Sequence, residues 1–281
     1  MPDFGERLAA TFASSGALCL GIDPHPFLLD SWGLDDTPDG VRELALRAVD
    51  AAEATIGIVK PQAAFFERHG SRGYAVLEEV VAAARAAGLL VIVDVKRGDV
   101  GSTVEAYGQA WLTPGSPLEV DAMTVVAYQG VGSLVAPIEL ARHWGKGLFI
   151  LAATSNPEAF PIQTAVLAGG ELAGRTVAAS IVAEVDALNS TSTTLGSMGV
   201  VVGATVDRAD YALGPGALTR TPILAPGFGE QGATVGDVRA IYGELAGNAV
   251  VNVGRSILRA GADGIQSRLR ATADELAGAL A

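Results

Sequence analysis

The chain is short of cysteine, histidine and basic charge, and it has no long apolar run. Each shortage removes a class of function. Cys19 is the only cysteine among 281 residues, so neither an intramolecular disulfide nor a CxxC metal clip can form. Its setting, "ALCLGID", is that of a small apolar core residue rather than a nucleophile. His25, His69 and His143 are scattered among Pro, Gly, Arg and Trp with no HExxH or HxxxH spacing. They are expected to be surface or packing residues, not metal ligands. Lys and Arg number 19 against 31 Asp and Glu, a net charge of −12. Nucleic-acid binders carry a basic face, so nucleic acid is not an expected partner. Anionic membrane surfaces are disfavoured for the same reason. A small anionic ligand stays open, because a few local cations outweigh a distant, screened field.

No apolar run reaches the roughly 18–20 residues of a membrane span. The start "MPDFGERLAA" has neither a basic leader nor an apolar h-region, so no signal peptide is expected and the protein is read as soluble and cytoplasmic. GxSxG and Walker A sequences are missing too. Without a domain linker, a low-complexity tract or a long repeat, residues 1–281 are read as a single domain, a length that α/β barrels commonly reach.

What the chain does have is apolar sequence, 49% of the total, which suffices for one large core. It falls into eight short runs: 17–23, 56–60, 89–95, 120–125, 148–154, 199–205, 222–226 and 249–254. They are rich in Val, Ile and Leu and nearly continuous, as parallel strands covered on both faces are. Stretches of helical period lie between them, among them 40–54, 73–88 and 235–247. Each interval can hold one right-handed strand–helix–strand crossover. Eight such units describe a (β/α)8 TIM barrel; a doubly wound open sheet is the alternative. The interval 155–203 exceeds one helix and is expected to hold an ordered excursion followed by a helix.

Barrels of this kind carry their chemistry at the C-terminal ends of the strands. Asp23 closes the first run, Lys60 the second, and Asp94 and Lys96 the third, inside "DVKRGD". Asp94 and Lys96 are two apart, so a strand directs both to one face. Any one of these charges could mark where a strand meets water, but four in the first three strands point to a site. Asp99 lies beyond the strand, where a helix N-cap near Ser102–Thr103 or a loop solubiliser is the bland alternative. Arg97 alternates away from Lys96, toward a structural ion pair.

A second cluster lies in the last third. "GFGEQG" (227–232) fits GxGxxG, but the position about 20 residues on is Asn252, not an acid, and too little chain follows for a dinucleotide-binding half. As the loop after a seventh barrel strand it suits phosphate better, since the loops after strands seven and eight commonly bind one. The eighth run ends "NVGRSIL", where Gly254 admits an anion close to the backbone and Arg255 offers a bidentate fork. Gln231 adds a neutral donor. Tight turning alone is the competing explanation of the glycines. In "TSNP", Ser155 could bind a ligand, or Asn156-Pro157 could simply start a helix.

Together, "LCLGIDPHP", "IVKPQAAFFERHG", "VDVKRGDVGST", "ATSNP", "LAPGFGEQG" and "VGRSIL" resemble the orotidine 5′-phosphate decarboxylase family, in its longer bacterial subgroup, over nearly the whole chain. The resemblance implies decarboxylation of orotidine monophosphate to uridine monophosphate, without cofactor or metal, by a homodimer with shared sites. It makes Lys96 the proton donor to the pyrimidine carbon and Asp94 the aspartate facing the substrate carboxylate. Asp99 and Thr103 become residues that reach the partner subunit's ligand. Asp23 and Lys60 hold ribose hydroxyls and order the charges, and Ser155 contacts the base. Gln231, Gly254 and Arg255 grip the phosphate, while Pro226 lines the pocket. Arg97-Gly98 replaces the small apolar pair many members carry, and 155–203 is longer than in compact members. A metal-dependent sugar-phosphate lyase or isomerase on the same barrel, and a non-catalytic nucleotide-binding barrel, are the rivals.

Overall fold

All eight apolar runs become parallel strands, and they close on themselves in sequence order, with β1 also paired to β8. The computed structural model describes residues 2–214 and 216–281. In chain order, α1 (Phe4–Ser15) precedes β1 (Leu18–Ile22), and α2 (Pro26–Ser31) and α3 (Pro38–Glu53) lead to β2 (Ile58–Pro61). Then come α4 (Ala64–Glu67), α5 (Gly70–Ala86), β3 (Leu90–Arg97), α6 (Gly101–Leu112), β4 (Ala122–Val125), α7 (Val135–Trp144) and β5 (Gly147–Ala153). The last third holds α8 (Phe160–Gln163), α9 (Val177–Leu188), β6 (Met198–Val202), β7 (Ile223–Ala225), α10 (Val238–Tyr242), β8 (Ala249–Val253), α11 (Arg255–Leu258) and α12 (Gly261–Leu280).

The helices form where pattern and caps agree. Thr37 caps α3 by accepting from the Gly40 N–H, and Pro38 opens the first turn. Val41, Leu44, Ala45, Ala48, Val49 and Ala52 then recur at helical spacing and are all buried against the strands. The interval 155–203 holds the expected excursion, with α8 and a bridge between Val166 and Thr176, before helix α9.

Two expected helices do not form as such. Among the described residues between β6 and β7 there is no helix. This segment is rich in Gly and Asp, and Ala212 and Leu218 take left-handed backbone angles that break any helical run. The 235–247 helix is reduced to the five residues of α10 between 3-10 turns, because Gly243 adopts φ 59° and ends it.

Strand alternation divides the core in two. Outward-facing residues such as Leu20, Val59, Val91 and Val251 pack under the helices. Inward-facing Cys19, Ile58, Ile92, Phe149, Leu224 and Val250 fill the barrel. Helix α1 seals the N-terminal end by inserting Phe4 and Leu8 among them. Its capping box between Asp3 and Glu6 and the 2.5 Å pair of Arg7 with Asp121 hold it there. Phe4 meets Phe149 edge to face at 5.9 Å.

Gly147 makes room for that plug: a Cβ there would lie 2.4 Å from the Phe4 ring and touch nothing else so closely. Gly147→Ala is therefore expected to destabilise the protein by about 1–3 kcal/mol, the usual cost of overpacking. Adding Phe4→Leu should return part of that loss, giving a non-additive double-mutant cycle in denaturant unfolding. Strict additivity would count against this packing account.

Candidate active site

With the N-terminal end plugged, the C-terminal end is left open, and a cavity of about 560 Å³ occupies it, within the size range of small-molecule sites. Asp23, Lys60, Asp94 and Lys96, on three adjacent strands or just beyond their ends, stand along one wall as a row of alternating charge. The Lys60 ammonium lies 3.9 Å from Asp23 and 3.3 Å from Asp94, and Lys96 lies 2.6 Å from the other Asp94 oxygen. Parallel register produces the row, since Gly21 pairs with Lys60 and Gln62 bridges to Asp94.

Asp94 and Lys96 do face the same way, but not through a regular strand. The register with β4 shifts between Val93 and Arg97, and Lys96 sits at φ 45°. For a residue with a side chain that left-handed angle costs about 1–2 kcal/mol. Thr124 holds it: its hydroxyl oxygen accepts the N–H of Val95 at 3.0 Å and of Lys96 at 2.9 Å, and its proton goes to Asp94 at 2.9 Å. Thr124 was legible in the sequence only as a strand end. Arg97 turns outward and pairs with Glu67 and the Tyr74 hydroxyl, the structural ion pair expected of it.

The side chain of Lys60 is buried and that of Asp94 nearly so, whereas Lys96 keeps 46% exposure and opens into the cavity. Burial alone would push the Asp94 carboxyl up. The charges of Lys60 and Lys96 and the hydrogen bonds from Lys96 and Thr124 overcome it, holding the carboxyl at about 2. Burial likewise disfavours the Lys60 ammonium, but Asp94 and Asp23 prevail and hold it above its ordinary value. Cys19 lies just below, where burial pushes the thiol up to about 12; it is inert packing, as expected. Among the described residues no group of three or more His, Cys, Asp or Glu could hold a metal ion. Lys60 fills the gap between the two mouth carboxylates.

The rest of the wall is built by the loops after β5, β7 and β8. Ser155, Pro226, Gln231, Gly254 and Arg255 all line the cavity. Gly227, Gly229 and Gly232 have positive φ, and the loop folds back on itself through the Gly229 N–H to the Ala233 carbonyl at 2.7 Å. Gly254 is closely approached by backbone, since a Cβ there would meet the Gly21 carbonyl oxygen at 3.1 Å. Arg255 makes no salt bridge or side-chain hydrogen bond among the described residues, so its cation is free for a ligand. Asn156-Pro157 starts no helix at once; α8 begins at Phe160, and Gln163 clips back to the Thr154 N–H at 2.9 Å.

Asp99 and Thr103 do not reach this cavity. Asp99 accepts only from the Val100 N–H at 2.8 Å, and the α6 cap position belongs to Val100, so the N-cap alternative is not met. Thr103 is exposed in the first turn of α6. Sequence reasoning missed Gln62, His25 and Asn252, which line the cavity. His25 does pack, at 4.1 Å from the Phe65 ring, but as part of the cavity wall. The Oδ1 of Asp23, 3.9 Å from the Lys60 ammonium, and the Oε1 of Gln62 are buried acceptors without a hydrogen-bond partner.

The sequence profile of the "Orotidine 5′-phosphate decarboxylase / HUMPS family" matches residues 16–268. Orotidine 5′-phosphate decarboxylase of Salinispora arenicola is 48% identical over 276 residues, 98% of this chain and 96% of that protein. The enzyme of Streptomyces coelicolor is 47% identical over 278 residues, 99% and 96% of the two. In structure, a Streptomyces avermitilis protein described as an orotidine 5′-phosphate decarboxylase superposes with TM-score 0.93 at 46% identity, covering 100% of this chain and 96% of that one. Leishmania donovani OMP decarboxylase superposes at 0.74 with 27% identity, covering 99% and 98%.

Asp94 has a measurable signature. A carboxyl held at about 2 when folded, against about 3.9 unfolded, adds stability above pH ~4 that is lost as pH falls toward ~2. Denaturant unfolding across that window should show this loss, on the order of 2 kcal/mol for the one group. In Asp94→Asn the Lys60 ammonium loses its nearest anion. That variant should be about 3–5 kcal/mol less stable at neutral pH and show a shallower acid slope. An unchanged slope would contradict the charge row.

Proposed function

The chain belongs to the orotidine 5′-phosphate decarboxylase / HUMPS family, and we propose that its charge row carries out the family's chemistry. The protein is a carboxy-lyase that converts orotidine 5′-monophosphate to uridine 5′-monophosphate and carbon dioxide in pyrimidine biosynthesis. When the bond to the carboxylate breaks, its electron pair stays on a ring carbon with poor delocalisation. An ammonium fixed beside that carbon stabilises the charge and then delivers its proton there. Lys96 is that group: the observation carrying the assignment is an ammonium 2.6 Å from an ionised, buried carboxylate and open to the cavity. The proton spent is regained from water.

The other roles are those the family resemblance gives these residues. Asp94 faces the departing carboxylate and, with Lys60, fixes the direction of Lys96. Asp23, which lines the cavity beside Lys60, receives ribose hydroxyls. Ser155 meets the base and Pro226 walls it. Gln231, Gly254 and Arg255 take the phosphate, far enough from the reacting carbon that binding energy there serves orientation.

Asp99 and Thr103 act across a homodimer interface, completing the partner's site. Val100, Tyr107, Tyr128 and Val135 support this reading, being large hydrophobic side chains exposed on the segments that follow β3 and β4, the first of which carries Asp99 and Thr103. The protein is read as working in the cytoplasm; among the described residues no helix is long and apolar enough to cross a membrane.

Lys96→Ala is expected to fold and to bind uridine monophosphate while its turnover falls by about 10²–10⁴-fold or more. Loss of orotidine monophosphate absorbance, followed with chelator present, measures it; near-normal turnover would overturn the assignment. Mixing Lys96→Ala with Asp99→Ala subunits should restore activity that neither variant has alone, since one of the two heterodimer sites is then intact. Heterodimers isolated by two tags that stay inactive would rule out shared sites.

A further inference from the structure

The glycine loop of the cavity carries a carboxylate where the phosphate reading least wants one. Glu230 lies between Gly229 and Gln231 and lines the cavity beside Arg255. It does not stand unpaired. Arg259, four residues after Arg255 and therefore on the same side of α11's turn, reaches it at 3.2 Å. The same guanidinium stacks over the Phe27 ring at 5.4 Å from the centroid. Phe27 in turn stacks on His25, 5.2 Å away, another cavity residue.

Two further contacts bring these segments together. A Cβ on Gly229 would lie 2.5 Å from the Ser256 hydroxyl oxygen, so the loop rests directly on α11. Trp32, at the end of α2, donates its indole N–H to the Leu258 carbonyl at 2.8 Å. The loop after β7, helix α2 after β1, and α11 after β8 thus meet at one side chain.

We infer that Arg259 is a positioning residue: it neutralises Glu230 and clasps the glycine loop to the helix that presents Arg255, holding Gln231 and the loop backbone at the phosphate end of the site. The clasp rests on the reading of Gln231, Gly254 and Arg255 as the phosphate grip. An exposed ion pair alone contributes little, and a cation over an aromatic ring adds a comparable increment. The effect is therefore modest and confined to ligands that carry the phosphate.

Arg259→Ala is expected to raise KM for orotidine monophosphate about three- to tenfold, with a smaller change in kcat. The same variant should weaken inhibition by uridine monophosphate by a similar factor and leave that by uridine unchanged. Arg259→Lys keeps a cation over Phe27 and within reach of Glu230, and should recover most of the loss. Equal weakening toward uridine, or no recovery with lysine, would show that Arg259 merely supports the fold and would overturn the clasp. Arg255→Ala is measured in parallel. If it discriminates between uridine monophosphate and uridine while Arg259→Ala does not, the clasp fails and the phosphate grip stands. If Arg255→Ala does not discriminate either, the grip itself is wrong and the clasp falls with it.

Discussion

The buried pairing of Lys60 with Asp94 is the constraint on which the mouth of this barrel depends. Either charge alone would be costly so far from water. Together, at 3.3 Å and with Asp23 and Lys96 on the two flanks, each stays ionised. Their mutual attraction in a weakly screening interior offsets the desolvation that burial imposes. Asp94 can then fix Lys96 from one oxygen while holding Lys60 with the other. The ammonium proposed to react is thereby aimed by groups that are themselves anchored in strands.

That arrangement needs the barrel. Asp94 and Lys60 come from neighbouring strands, and Thr124 comes from the next. Thr124 stabilises an angle at Lys96 that a free chain would avoid, using one hydroxyl to accept two backbone N–H groups and to donate to Asp94. The strain sits in the residue proposed to donate the proton, in keeping with the tendency of strained backbone to collect at functional positions. Below the row, Phe4, Leu8 and Phe149 fill the barrel, so only the upper end admits a ligand.

The two walls of the cavity solve different problems. Strands β1 to β3 supply rigid, buried charge for the reacting end. Loops after β5, β7 and β8 supply glycine, Arg255 and Gln231 to the end proposed to take the phosphate, where close approach matters more than burial. The overall charge of −12 does not oppose an anionic substrate, because Lys60, Lys96 and Arg255 line the cavity and distant surface carboxylates are screened.

The sequence by itself determined the eight strands, their parallel βα alternation and the identity of the charges at three strand ends, while the pairing of β1 with β8 decided for a closed barrel over an open sheet. Apolar runs of strand length and polar residues just after them are local signals, and they survive without knowledge of neighbours. It also marked Gln231, Gly254 and Arg255 through their glycine-rich surroundings. Tertiary structure alone decided which residues meet. The register that puts Thr124 under Lys96, the turn of Asp23 toward Lys60 and the convergence of His25, Gln62 and Asn252 on one cavity join segments remote in the chain, and no periodicity encodes such pairings. The lack of a helix among the described residues between β6 and β7 and the shortened one before β8 are instead local: left-handed Ala212 and Leu218 and the turn at Gly243 break the helical run.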